Sequence, residues 1–228
     1  RLGVKRYGGQ LVLPGNIISE LVHNDRIIGG MTFKCSKEAS KVYKLFVKGK
    51  LEYTNPRTAE MSKLTENSFR DVNIAFANEL SIICDKLNIN IWELIRIANL
   101  HPRVNILQPG PGVGGHCIAI DPWFIVNKNP ADAKLIRLAR QTNDKKLNWV
   151  VQKVKTEVVN YLKKYPTKKI ENIKIGCFGI TYKPNIDDLR ESPALKITKK
   201  IANQHPGKVI VFEPNIKVLP KILNNKNL

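Results

Sequence analysis

Apolar residues recur at helical intervals over one long stretch. Leu64, Val72, Phe76, Leu80, Ile83 and Leu87 are spaced by three, four or eight residues, which keeps them on one side of an α-helix. Asn55 suits the N-cap, Pro56 the first helical position and Asn88 the stop. A helix over 56–87 would run roughly 48 Å at about 1.5 Å per residue. That length predicts a central spine and a subunit interface. Ahead of it, the pattern predicts a helix from Asn16 to His23, a strand at Arg26-Ile27-Ile28 leading into Gly29-Gly30, and a lysine-rich amphipathic helix over 36–48 built on Ala39, Val42, Leu45 and Phe46. A turn and strand follow over 48–54. Beyond the spine the pattern predicts helices at 91–100, 131–141 and 144–164.

At residue 173 the period changes. Residues 173–180 form an apolar strand, 181–193 a loop, 194–204 a helix and 209–212 a second strand. This is a β-loop-α-β unit with a parallel strand pair. Ligands of such sheets bind beyond the carboxyl ends of the strands, which puts Lys183 and Arg190 at a ligand edge. The run Tyr165-Pro166-Thr167-Lys168-Lys169 reads as a linker. The fold class is therefore α/β, a mainly helical region followed by a parallel-sheet unit.

Between these regions lies Gly110-Pro111-Gly112-Val113-Gly114-Gly115-His116-Cys117, with Asp121 four residues further on. Glycine lets a backbone approach a ligand closely and adopt φ > 0. A cysteine ending such a run is presented to something small, and a buried, inert cysteine in a tight turn is the alternative. Gly110, Gly112 and Gly115 satisfy G-x-G-x-x-G, but no strand precedes them and Pro122 follows soon after, so a dinucleotide fingerprint is rejected. On the spine helix, Lys63 and Asn67 lie one turn apart. An ammonium beside a carboxamide makes a donor pair for an oxyanion. The polar stripe Glu60, Lys63, Asn67 and Arg70 also reads as a solvated face. Arg103 offers a planar fork for an anion or carbonyl, with a surface arginine as the alternative. His116 supports the glycine loop.

Composition narrows the class. The chain has 228 residues, 43% hydrophobic and 25% charged, ordinary for a globular protein. No apolar run reaches the roughly 18 residues of a membrane span, and the first residues lack a signal peptide's apolar core, so a cytoplasmic location is expected. Cys35, Cys84, Cys117 and Cys177 form no C-x-x-C pair, so free thiols and no metal site are expected. The net charge of +19 raises nucleic-acid binding. However, 28 of the 38 basic residues are lysines scattered along helices, without aromatic interleaving. A solvated lysine-rich surface, attractive to a pyrophosphate, is the better reading, with neither nucleic acid nor membrane as partner.

Three motifs in this order resemble the UDP-glucose/GDP-mannose dehydrogenase family. They are AEMSKLTENSFRDVNIAFANE on the spine helix, the glycine loop with HCIAIDPWFI, and the 181–193 loop. The resemblance runs from about residue 12 to 217. The loop and the Glu66–Asp71 segment are closest to the branch acting on UDP-N-acetyl-D-mannosamine, with UDP-N-acetylglucosamine or UDP-glucose as alternatives. It implies NAD as cofactor and a twofold oxidation of a sugar C6 alcohol to a carboxylate, for surface polysaccharide synthesis.

The resemblance also implies roles for single residues. Cys117 would be the nucleophile, Lys63 and Asn67 oxyanion donors, and Asp121 a general base. Arg103, Gln108, Gly110, Gly112, Gly114, Tyr182 and Lys183 would contact the sugar nucleotide, while Arg190 and Cys117 would border NAD. The implied organisation is a remnant of the NAD domain over 1–32, a helical central and dimerisation domain over 33–165, and a partial Rossmann-like UDP-sugar domain over 170–228. A homodimer would form through helix 56–87. The family's Pro-Glu falls on Gly9-Gln10 here. With that glutamate replaced and most of the cofactor domain outside the chain, little or no activity is expected from this polypeptide alone, and a non-catalytic dimerising remnant is the alternative.

Overall fold

The computed structural model describes residues 5–7, 17–218 and 220–223. Gly9-Gln10 and the N-cap assigned to Asn16 lie outside the described residues. The chain divides into two compact units, Arg1–Phe69 and Arg70–Leu228.

In the first unit, β1 (Lys5–Tyr7) pairs antiparallel with β2 (Arg26–Gly29). β2 pairs parallel with β3 (Leu51–Thr54), Arg26 opposite Leu51 and Gly29 opposite Thr54. Helix α1 (Ile17–His23) precedes β2, and α2 (Phe33–Tyr43) connects β2 to β3. The α2 helix starts and stops earlier than its periodicity predicts. Thr32 caps it, its Oγ1 accepting from the Cys35 N–H at 3.2 Å. At the other end, the Lys48 N–H donates to the carbonyl of Val22 at 2.6 Å, drawing the chain away from the helix axis.

Helix α3 (Pro56–Leu87) has the predicted bounds. Asn55 Oδ1 accepts from the Thr58 N–H at 2.9 Å, satisfying one of the orphan donors of the first turn. Asn88, with φ +55°, ends it in the left-handed conformation that asparagine tolerates. What α3 buries is unexpected. Asn67, Ser68, Asp71, Ala75, Ala77, Asn78 and Ser81 are buried, while Phe69, Phe76, Ile83 and Leu87 are exposed. Helix α4 (Ile91–Ala98) follows, capped by Asn90, whose Oδ1 accepts from the Trp92 and Glu93 N–H groups.

The second unit holds α5 (Asp121–Lys128), α6 (Lys134–Lys164), β4 (Ile175–Phe178), α7 (Pro193–Gln204) and β5 (Val209–Phe212). β4 and β5 run parallel, as predicted, with Ile175 opposite Val209 and Phe178 opposite Phe212. Val151, Ile197, Ile201, Ala202 and Val209 form its core, with Leu147, Val150, Val154, Ile175 and Cys177 packed against them. Each large apolar side chain withdrawn from water contributes roughly 1.5–3 kcal/mol. A smaller cluster joins Ile180, Leu195 and Leu223. This second cluster seats the loop between β4 and α7.

One helix assignment needs correction. The expected helices at 131–141 and 144–164 are one unbroken α6. Asparagine disfavours helix interiors by competing for local backbone groups, but the Asn143 amide is committed to Asp71 and Asn78 on another helix and does not compete. The residues after Cys117 turn into α5, whose Pro122 sits in the first turn, where its missing N–H costs nothing. Among the described residues, no helix is long and apolar enough to cross a membrane, and no group of three or more His, Cys, Asp or Glu could hold a metal.

Candidate functional site

Each glycine of the 110–115 run has its own environment. Gly110 donates its N–H to Asn78 Oδ1 at 2.8 Å. Gly112, at φ +143°, lies where a Cβ would come within 3.2 Å of the Asn143 carbonyl and of Pro193. A Cβ on Gly114 would fall 2.6 Å from Tyr182 Cβ and 2.9 Å from the Glu191 carbonyl. Gly115, at φ +83°, faces the Tyr182 ring and donates its N–H to the carbonyl of Arg190 at 3.0 Å. The loop is thus held at one end by α3 and laid at the other onto the β4–α7 loop. Only residues without side chains permit that approach.

Cys117 follows at once and is half-buried. Its carbonyl accepts from the N–H groups of Ile120 (3.0 Å) and Asp121 (2.8 Å), the turn that launches α5. Asp121 occupies the first turn of that helix, where a carboxylate is favoured by the helix dipole. Cys117 lies close enough to Tyr182 and Arg190 to act electrostatically on both. Burial raises the Tyr182 phenol above its ordinary value, Asp188 adds to that, and Arg190 opposes it.

The β4–α7 loop is ordered by charge and by Glu213. Asp188 takes a bidentate pair from Arg190, Nε at 3.0 Å and Nη2 at 2.6 Å. That pairing holds the Asp188 carboxyl below its ordinary value, with His116 adding a small effect. Arg190 remains exposed beyond the pair. Lys183 is half-buried, and its carbonyl accepts from Thr181 Oγ1 at 3.0 Å. Asn185 and Glu191 adopt φ +61° and +50° where the loop reverses. Glu213, at the end of β5, accepts from the N–H of Ile180 (2.9 Å), Thr181 (3.3 Å) and Asn215 (3.0 Å). Burial works against its charge, but these donors hold the carboxyl down at about 2.

The structure therefore brings together Gly112, Gly114, Cys117, Tyr182 and Arg190, with Asp121 and Lys183 on the flanking segments, while Gly110 is held at the far end of the loop by Asn78. Arg103 is exposed, its N–H bonded to His101 Nδ1 at 3.3 Å, and Gln108 is exposed just before the loop. Lys63 and Asn67 belong to the first unit. Lys63 is ion-paired with Glu66 at 3.5 Å, and Asn67 is buried.

Sequence reasoning missed a buried polar cluster behind the loop. Asp71, Asn78, Arg140 and Asn143 are each no more than 1% exposed. Arg140 Nη1 meets Asp71 Oδ1 at 2.6 Å and its Nη2 reaches Asp144 at 2.5 Å. Burial pushes the Asp71 carboxyl up to about 6, with Arg140 and Asn143 pulling against it. The signal was available. Asn67, Asp71 and Asn78 are spaced by four and seven residues, which is one face of a helix.

Comparisons with known proteins identify the family. Residues 57–145 match the UDP-glucose/GDP-mannose dehydrogenase family, central domain, and residues 176–227 match the same family's UDP binding domain. The UDP-N-acetyl-D-mannosamine dehydrogenase of Salmonella typhi is 62% identical over 218 residues, which is 96% of this chain and 52% of that one. The enzyme of that name from Campylobacter jejuni is 63% identical over 215 residues, 94% of this chain and 51% of its own. The structure of the UDP-D-ManNAc dehydrogenase of Pyrococcus horikoshii superposes with a TM-score of 0.83 at 42% identity, covering 94% of this chain and 50% of that one. The chain thus spans about half the length of the curated relatives it matches.

Proposed function

Because the chain belongs to the UDP-glucose/GDP-mannose dehydrogenase family, we propose that it forms the central and sugar-nucleotide-binding portion of an NAD-dependent UDP-N-acetyl-D-mannosamine 6-dehydrogenase. Such an enzyme would supply a uronic acid for surface polysaccharide in the cytoplasm. The observation that carries this reading is the seating of the Cys117 loop on the 182–191 loop through Gly114 and Gly115. The Cys117 thiol there acts electrostatically on the Tyr182 phenol and the Arg190 guanidinium. The 62% identity to dehydrogenases of that sugar supports the choice of substrate over UDP-N-acetylglucosamine and UDP-glucose.

The chemistry explains why a cysteine is required. An aldehyde has no good hydride to give until a nucleophile adds to it. Asp121 takes the proton from the C6 alcohol in the first oxidation. The Cys117 thiolate then adds to the aldehyde carbon, forming a C–S bond and a thiohemiacetal oxyanion. The family resemblance assigns the stabilising of that oxyanion to Lys63 and Asn67. After the second oxidation the product on Cys117 is a thioester. Water activated by Asp121 attacks it, the C–S bond breaks, and the carboxylate leaves with the thiolate restored. NAD, when bound, would supply the hydride acceptor for both oxidations. The exposed Arg190 guanidinium fits a dinucleotide phosphate, and Cys117 borders the same place. Arg103, Gln108, Lys183 and Tyr182 hold the sugar nucleotide, while Gly110, Gly112 and Gly114 let the backbone come close to it.

The domain plan follows from this reading, with an NAD-domain remnant over 1–32, a central domain over 33–165 and a UDP-sugar domain over 170–228. A homodimer forms along α3, whose exposed Phe69, Phe76, Ile83 and Leu87 give it an apolar stripe.

Calorimetric titration with UDP-N-acetyl-D-mannosamine tests the substrate. Binding that UDP-N-acetylglucosamine does not match, retained in Cys117→Ala, is expected. No heat from any UDP-sugar with a chain shown to be folded would overturn the reading.

A further inference from the structure

Asn78 is fully buried in the middle of α3, and both ends of its amide are spent. Its Oδ1 accepts from the Gly110 N–H at 2.8 Å, and its Nδ2 donates to Asn143 Oδ1 at 2.8 Å. Asn143 in turn donates its Nδ2 to Asp71, reaching Oδ1 at 2.8 Å and the backbone carbonyl at 3.0 Å. We propose that Asn78 is a positioning residue for the thiol loop, presenting to Gly110 an acceptor whose orientation is set by the Asp71–Arg140 pair through Asn143.

The direction of each bond follows from the chemistry of the groups. An amide offers an acceptor at one end and donors at the other, and only its surroundings decide which faces where. Asp71 accepts from Arg140 and so presents acceptor oxygen to Asn143. The Asn143 amino group must therefore face Asp71, which leaves its oxygen toward Asn78. Asn78 must then turn its amino group to Asn143 and its oxygen to Gly110. Every alternative arrangement sets two acceptors or two donors against each other in a buried site, at a cost of about 1–3 kcal/mol for each unsatisfied group. The ion pair thus fixes the polarity of a relay that ends at the first glycine of the loop. Gly110 is seven residues before Cys117, and the next fixed points are Gly112 beside the Asn143 carbonyl and Gly115 on the Arg190 carbonyl. Without the Asn78 bond, the hydrogen bond from a glycine N–H that remains to the loop among the described residues is that of Gly115 at its far end.

The inference rests on the proposed function only for the role given to Cys117. The readouts below are independent of any sugar nucleotide, so a chain that binds no UDP-sugar still tests it. The experiment uses the full chain with Cys35, Cys84 and Cys177 changed to serine, so that iodoacetamide reports Cys117 alone. Amide hydrogen exchange reports Gly110. Asn78→Ala should speed exchange at Gly110 at least tenfold and change the alkylation rate of Cys117 at least threefold. Asn78→Asp keeps an acceptor for Gly110 but replaces the donor to Asn143 with a carboxylate oxygen facing Asn143 Oδ1. It should destabilise the chain yet leave Gly110 exchange within about twofold of the parent, and a general loosening of the fold would not spare Gly110 in this way. If Asn78→Ala does not fold, Asn78→Ser, whose hydroxyl is too short to reach Gly110, takes its place. Parent-like exchange and alkylation in the folded alanine or serine variant overturns the proposal. So does Asn78→Asp giving the same Gly110 exchange as the shorter side chains.

Discussion

The N–H of Gly115 donates to the carbonyl of Arg190 at 3.0 Å, joining the loop that ends in Cys117 to the loop that follows β4. One residue earlier, Gly114 leaves no room for a side chain. An added Cβ would sit 2.6 Å from Tyr182 Cβ and 2.9 Å from the Glu191 carbonyl and Pro193 Cδ. Gly114→Ala should force the loops apart and cost about 1–3 kcal/mol, the usual range for overpacking. Gly110 is the comparison, because a Cβ there meets only the Gly112 carbonyl, at 3.8 Å. Gly110→Ala should stay within about 0.5 kcal/mol of the parent. Urea unfolding of both variants decides it, and equal midpoints would remove the seated-loop account.

The exposed stripe on α3 predicts an assembly. Phe76 is 53% and Leu87 62% exposed, while the buried side of the same helix is polar or small. Water does not favour such an arrangement unless the stripe is covered. Phe76→Glu should convert a dimer to monomer in sedimentation velocity while leaving the far-ultraviolet spectrum unchanged. A parent chain that sediments as a monomer at all concentrations contradicts the assembly.

Glu213 predicts an acid limb of stability. Its carboxyl is held at about 2, below an ordinary value of 4.5. A depressed native value means that the unfolded chain binds the proton more readily. Its contribution is therefore complete above about pH 4.5 and is lost as pH falls toward 2. In Glu213→Gln the amide cannot accept from all three backbone N–H groups as a carboxylate does. The variant should be less stable than the parent at pH 7, and the gap should close between pH 4.5 and 2. A gap that stays constant with pH would mean that the charge contributes nothing.

Much of this was legible in the amino-acid order. Asn55-Pro56 and Asn88 marked both ends of α3, because capping is a local property written in a few residues. The parallel β4–β5 pair followed from two short apolar runs separated by a helical one. The glycine-rich run announced a close approach, but what approaches Gly112, Gly114 and Gly115 was not readable, since Tyr182 and Pro193 lie far along the chain. The buried side of α3 was also hidden. Hydrophobic periodicity marks the face that avoids water, and in this helix Asp71 and Asn78 are buried on partners 72 and 65 residues away, while Phe76 points outward. Arg140 and Asn143 were obscured for the same reason. A buried polar residue carries no sign of its partner in its own neighbourhood.

Lys146 gives the last prediction, and its sign is the reverse of the usual one. The side chain is 4% exposed, with Nζ bonded to Ser81 Oγ at 2.5 Å and lying 3.8 Å from the centre of the Trp149 ring. Burial lowers its ammonium to about 8 from 10.5, and Asp85 pulls the other way. A lysine whose native value is depressed binds its proton more weakly when folded. Below about pH 8 the folded chain carries the full cost of burying the charge, and between 8 and 10.5 that cost is relieved as the amine neutralises. Lys146→Met keeps the length and removes the charge. Because Ser81 Oγ also donates to the Asn78 carbonyl at 2.6 Å, the hydroxyl keeps a partner. Subtracting the variant's unfolding free energy from the parent's cancels the titration of the other lysines. The difference should rise in the parent's favour from pH 8 to 10.5, by no more than about 3.5 kcal/mol at roughly 1.4 kcal/mol per pH unit of depression. A flat difference across that range would show that the ammonium keeps its solution affinity for the proton, with Trp149 and Asp85 compensating its burial in full.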